Sequence, residues 1–157
     1  MVAPQTLAQS QPRPLPVQLV ADNLVLRQSL FARQADGRVY LPLHALADAL
    51  DFVIEIDAGD AYADGWFLDK DRTVSFNAKT GDIVRQGKRF TVGREAFLTD
   101  HLSTRGELYV AREALNVAWP VNLQVDMSQL TVAVNPAEPL PVQQRREREE
   151  RRKRLLS

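Results

Sequence analysis

Residues 39–57 read VYLPLHALADALDFVIEID, and the hydrophobic period changes twice within them. Val39 and Leu41 lie on one side of a short strand. Leu43, Leu46, Ala47 and Leu50 then recur at i, i+3, i+4 and i+7, one face of a two-turn helix. After Asp51 the alternation returns, with Phe52, Ile54 and Ile56 on one side and Val53 and Glu55 on the other, which is the pattern of a half-buried strand. The stretch predicts strand, short helix, strand, and so an α+β fold.

The same order recurs 69 positions later. Gly37 meets Gly106, Tyr40 meets Tyr109, Ala45-Leu46 meets Ala114-Leu115, Ala49 meets Ala118 and Asp57 meets Asp126, without a gap. Between these identities apolar character is kept: Leu41 with Val110, Leu50 with Trp119, Phe52 with Val121, Ile54 with Leu123, Ile56 with Val125. Beyond Asp57, an allowance of 11 residues in the first copy matches Thr73–Asn77 (TVSFN) to Thr131–Asn135 (TVAVN). Two copies are too few for a solenoid. The expected architecture is therefore duplicated strand–short helix–strand units, with small antiparallel sheets packed on short helices, as one pseudo-symmetric domain or two small abutting ones.

Outward from the two units, Val17–Phe31 suits strands interrupted at the turn-favouring pair Asp22-Asn23, and Asp36-Gly37 is a second turn. Asp57–Asp71 reads as an acidic loop containing Trp66-Phe67, followed by a strand at Arg72–Asn77. Turn signals at Thr80–Asp82 and Gln86–Lys88 bracket short strands at Ile83–Arg85 and Arg89–Val92, and Arg94–Leu102 is expected to hold a helical turn. Pro136, Pro139 and Pro141 mark an extended linker, and RREREERRKRLL forms a charged helix with no apolar stripe, expected to bury nothing. The expected boundaries are a disordered segment at 1–16, a first repeat at 17–92, a second at 93–136, and linker plus helix at 137–157.

The chain has 157 residues, 20 basic and 20 acidic, so no net field draws it to nucleic acid. Arg145–Arg154 carries seven basic and three acidic residues, which makes the tail basic and the body mildly acidic. That tail could meet phosphates or anionic headgroups, but without interleaved aromatics it reads as a solvated helix. Cysteine is absent, which excludes disulfides, thiol catalysis and zinc–thiolate sites. No apolar run approaches the roughly 18 residues that cross a bilayer. The opening MVAPQTLAQSQPRPLP suits either an ordinary disordered terminus or what remains of an exported protein after signal removal.

Asp57, Asp60, Asp64, Asp69 and Asp71 could offer oxygen ligands to a hard cation, but their spacing is not that of an EF-hand. His44 and His101 have no nucleophile or orienting carboxylate at a recognisable spacing. A carboxylate pair for hydrolysis is a three-dimensional quantity that spacing does not reveal. The expectation is a non-enzymatic module without metal or cofactor. Tyr62, Trp66 and Phe67 are the candidate partner-binding residues, because aromatics in an exposed loop anchor interfaces or stack on sugars. The competing reading sends Trp66 and Phe67 into the core, where Trp119 is also expected.

The order Tyr-x-Pro-Leu, short helix, alternating strand in residues 39–57 resembles the copper amine oxidase-like N-terminal (stalk) domain of bacterial envelope proteins. The resemblance covers about 17–136 and implies a small antiparallel sheet wrapped around a helix, commonly duplicated, without copper or catalysis. Residues 108–134 followed by Leu140-Pro141-Val142-Gln143-Gln144-Arg145 look like the segment leading into the barrel of outer-membrane usher-like proteins, although no barrel is present here. The resemblance implies a periplasmic protein-binding module of an outer-membrane assembly or secretion system. A cell-wall or glycan-binding stalk is the alternative, and a carboxylate-dependent hydrolase the more distant one.

Overall fold

The computed structural model describes residues 13–57, 59–98 and 107–156. Strands β1 (Arg13–Ala21) and β2 (Leu24–Ala35) form a long hairpin whose Asp22-Asn23 turn places Asp22 at φ 54°. The next turn, Asp36-Gly37, has φ of 52° and 76°, so both central residues are left-handed as a two-residue hairpin loop requires. It leads into β3 (Arg38–Pro42), helix α1 (Leu43–Leu50) and β4 (Val53–Asp57). Strands β5 (Tyr62–Trp66), β6 (Thr73–Asn77), β7 (Asp82–Arg85) and β8 (Lys88–Thr91) continue from β4 as an antiparallel meander. A 3-10 turn at Arg94–Ala96 precedes β9 (Phe97–Leu98). Then follow β10 (Tyr109–Ala111), helix α2 (Arg112–Ala118), β11 (Gln124–Asp126), β12 (Thr131–Val134) and helix α3 (Pro141–Leu156).

The strands make two sheets, one ordered β11-β12-β1-β2-β3-β10-β9 and one ordered β4-β5-β6-β7-β8. All pairings are antiparallel except β1 with β12, which run parallel and depart from the all-antiparallel expectation. The mixed α+β class read from the period changes is what the chain adopts.

The duplication is visible as geometry. β3 pairs with β10 so that Leu41 lies opposite Val110, flanked by Tyr40 opposite Ala111 and Pro42 opposite Tyr109. Each of these residues is 69 positions from its counterpart, so a local two-fold axis passes between Leu41 and Val110. Helices α1 and α2 begin 69 residues apart. The shift then continues without a gap: Asp57 pairs with Tyr62, and Asp126 pairs with Thr131. The turn itself is shared, because Ala61 and Leu130 both have φ 50°. Asp57 Oδ1 accepts from Asp60 N at 3.3 Å, as Asp126 Oδ1 does from Gln129 N at 3.3 Å.

These observations correct the 11-residue allowance. β12 is the counterpart of β5, not of the Thr73–Asn77 strand, and the surplus of the first copy is β6–β8. Residues 57–71 are correspondingly not a long acidic loop but a hairpin containing β5.

Both copies close over one apolar core. Trp119 is fully buried, with its ring 5.2 Å from Phe52 and 6.0 Å from Phe76, both edge-on. Phe67 joins the cluster 6.3 Å from Phe52. Edge-to-face pairs at such distances add about 0.5–1.5 kcal/mol to area burial. The Trp119 Nε1 proton is buried without an acceptor, a cost of about 1–3 kcal/mol accepted for the ring's apolar bulk.

Three boundaries differ from expectation. The first strand starts at Arg13, so Arg13–Pro16, expected to be disordered, are paired with β2, while the rest of that expected segment lies outside the described residues. The helical turn expected at 94–102 is a single 3-10 turn followed by a strand, and residues beyond Leu98 lie outside those described. The proline linker and α3 do bury surface: Leu140 and Val142 are core residues. Leu140 donates its N–H to Gln143 Oε1 at 3.1 Å, and Pro141 occupies the first helical position, where its missing N–H costs nothing. The periodicity hides this contact because only the first turn is apolar.

Candidate interaction site

A groove of about 760 Å³ lies between β2 and α1, open at one side. Its existence follows from where β3 goes. β3 accompanies β2 only along Arg33–Ala35, then turns away at Pro42 into α1. Among the described residues, the Arg27–Ala32 stretch of β2 therefore has β1 on one side and no strand on the other. Leu30 and Ala32 point into the core while Phe31 stands 59% exposed at the groove. An Arg27–Asp48 ion pair links β2 to α1. Arg33 lies over the Tyr109 ring, 4.9 Å from its centroid.

The floor of this groove is held rigid by an exchange between the copies. α1 has no side-chain cap of its own, since Pro42 precedes it. Glu107 supplies one, accepting from His44 N at 2.7 Å and Ala45 N at 3.3 Å. A carboxylate here satisfies two of the orphan amides and meets the positive end of the helix. The residue 69 positions earlier, Arg38, reaches the other helix start, with Nη2 3.5 Å from Glu113 Oε2. Each copy thus holds the first turn of the other. Arg38 also donates to Glu95 O at 3.1 Å, and Tyr40 Oη donates to the same carbonyl at 2.8 Å. Burial pushes the Tyr40 hydroxyl above its ordinary value.

The three aromatics singled out from sequence separate. Phe67 is fully buried and is a core residue, which corrects its assignment to partner binding. Trp66 and Phe67 diverge because Trp66 is the last residue of β5 and Phe67 the first beyond it. Tyr62 and Trp66 remain half-buried on the outer face of β5, with exposed Asp64 between them, over a shallow depression shared with Val53 and Thr73. Neither belongs to a segment unique to the first copy, since their counterparts are Thr131 and Asn135.

His44 is exposed on α1, and His101 lies outside the described residues. The aspartates divide between two turns and a strand. Asp57 caps its turn, Asp60 sits 3.7 Å from Lys79 Nζ, and Asp69 accepts from Asp71 N through Oδ1 at 3.0 Å while its Oδ2 lies 3.6 Å from Arg72 Nε. Among the described residues no three histidines or carboxylates converge on one point.

The Leu140–Arg145 stretch works as a latch. Arg145 Nε donates to Asp51 Oδ2 at 2.9 Å, and Arg146 donates to Val25 O at 3.0 Å. Arg72 grips Glu138 with two hydrogen bonds, one of 3.0 Å, and holds its carboxyl below the ordinary range. From Glu147 onward α3 is exposed through Leu155 and Leu156. Sequence reasoning missed the groove and the latch. Leu140 and Val142 beside a helix-initiating proline were a signal for the latch; nothing local marked the groove.

No protein-family model matches the chain, and neither a curated protein nor a solved structure matches it. Among the described residues no helix is long and apolar enough to cross a membrane.

Proposed function

We propose that this chain is a non-enzymatic protein-binding module of the bacterial cell envelope, acting in the periplasm as part of an outer-membrane assembly or secretion system. The observation that carries the protein-contact reading is the β2–α1 groove, where an open strand edge and the exposed Phe31 ring lie side by side. Open edges offer backbone donors and acceptors to an incoming chain, and an aromatic ring supplies contact area at low entropic cost. The envelope assignment rests on the resemblance of residues 39–57 to stalk domains and of Leu140–Arg145 to the usher-like lead-in. The second of these stretches is the latch that orients α3 on the body.

The test is photo-crosslinking in the bacterial periplasm with a photoreactive residue at Phe31. A discrete adduct with one envelope protein, reproduced with the two purified proteins, is the expected result. Absence of any adduct, together with measurable hydrolysis of a cell-wall substrate, overturns the reading.

Glycan binding is the second reading, favoured by the placement of Tyr62 and Trp66 on one open sheet face. Binding of soluble peptidoglycan fragments that is lost in Trp66→Ala and kept in Phe31→Lys would favour it over protein contact.

A further inference from the structure

Resting on the protein-contact reading, we infer that the β2–α1 groove receives an extended peptide segment that pairs with β2, lays an apolar side chain against Phe31 and ends in a carboxylate beside Arg33. Three observations set those requirements. Among the described residues no strand pairs with the free side of β2 between Arg27 and Ala32, so the occupant that would satisfy its outward backbone groups is a strand. Phe31 and Arg33 alternate with buried Leu30 and Ala32 and so share a face. Arg33 already lies opposite Tyr40 of β3, so an incoming strand pairs only as far as the free stretch of β2 and meets the Arg33 guanidinium with a residue at its end. Among the described residues, the charges that line the groove are matched except one. Arg27 is paired with Asp48, and Glu107 is committed to the α1 amides. Arg33 makes no ion pair among the described residues, and its Nε is buried without an acceptor. An incoming carboxylate supplies the missing charge, and an apolar side chain covers Phe31.

The groove is built to keep this geometry. Tyr109 under the Arg33 guanidinium and the Glu107 cap on α1 both come from the second copy, so the two walls are braced by the internal two-fold rather than by the occupant. Binding therefore needs little rearrangement of the body.

The experiment titrates the protein with a short blocked peptide of alternating β-branched residues that bears phenylalanine near one end and aspartate at that end. Two control peptides carry a central proline, or lysine in place of the aspartate. Amide NMR shifts and fluorescence anisotropy are read together. The expected result is saturable binding with shifts concentrated at residues 28–33, weakened about tenfold or more by either control and by Phe31→Lys. Phe31 is exposed, so that variant keeps the fold. In Arg33→Glu the preference inverts and the lysine peptide binds more tightly than the aspartate peptide. Equal binding of the proline peptide, or shifts located away from β2, overturns the strand occupant. If the peptide fails while Phe31 still crosslinks one envelope protein, the strand occupant alone falls; if both fail, the protein-contact reading falls with it.

Discussion

Residues 38–66 and 107–135 run through the same strand, helix and hairpin at a constant shift, yet they end in different sheets. In the first copy the β4–β5 hairpin has five paired positions and continues into β6–β8. In the second, β11 and β12 share only three, and β12 goes on to pair in parallel with β1. Gly65 and Val134 occupy equivalent places and explain the limit. A Cβ on Gly65 would stand 1.9 Å from Val53 O, because the longer hairpin brings the two backbones together there. At Val134 the β11 ladder has already ended at Gln124, although Asn135 still donates its N–H to Val121 O at 2.9 Å, and the Val134 side chain enters the core. The helix exits diverge for a similar reason. Asp51 ends α1 at φ 61°, whereas its counterpart is Pro120, whose ring forbids that angle. The second copy leaves through extended Trp119, and the ring swings into the core. One local pattern therefore supports two tertiary roles, decided by a glycine in one copy and a proline in the other.

The largest effect is expected from removing the aromatic that the two copies do not share. Trp119→Ala empties the junction of Phe52, Phe67 and Phe76 and should cost about 3–5 kcal/mol in urea unfolding. Trp119→Phe should cost less, because it also removes the unsatisfied Nε1 proton. Forcing the first copy to resemble the second is next. Gly65→Val drives a side chain into Val53 O and should cost about 3 kcal/mol, the upper end for overpacking, with loss of amide protection along β4. An equal stability for this variant would show that the hairpins are interchangeable.

The exchange at the helix starts gives a smaller contrast. Glu107→Ala leaves two α1 amides uncapped and should cost about 1 kcal/mol. Arg38→Ala should cost less at the α2 start, because the ion pair it loses there is exposed. The smallest effect is that of pH on the latch. The Glu138 carboxyl is held low in the folded state by Arg72, so its stabilisation is present above the ordinary carboxylate range and is lost as pH falls through the lowered value. A fall in the protection of the Gln144 amide, corrected for intrinsic exchange, as pH is taken below the ordinary carboxylate range, abolished in Glu138→Gln, is the expected reading.

The strand–helix–strand units were legible because Leu43, Leu46 and Leu50 against Phe52 and Ile54 change period within a few residues, and that change needs no tertiary knowledge. The turns at Asp22-Asn23 and Asp36-Gly37 were legible for the same local reason. The identity of β5 was not. Tyr62–Trp66 contains Ala63, Asp64 and Gly65, residues with poor strand propensity, and only pairing on both sides makes them a strand. The better match of Thr73–Asn77 to Thr131–Asn135 was a likeness of composition, since both sequences suit a central strand, and topology overruled it. Of the candidate residues, Phe67 was indistinguishable from Trp66 in sequence, because which of two adjacent aromatics faces the core depends on the phase of β5. The groove depends on β3 leaving β2 early, a property of the register between hairpins.

The most direct test of the paired duplication is the backbone NOE pattern between residues 40–42 and 109–111. The expected result is an antiparallel ladder with Leu41 opposite Val110 and with Tyr40 and Pro42 opposite Ala111 and Tyr109. A ladder shifted by one residue, or β10 paired to a strand other than β3, would contradict it.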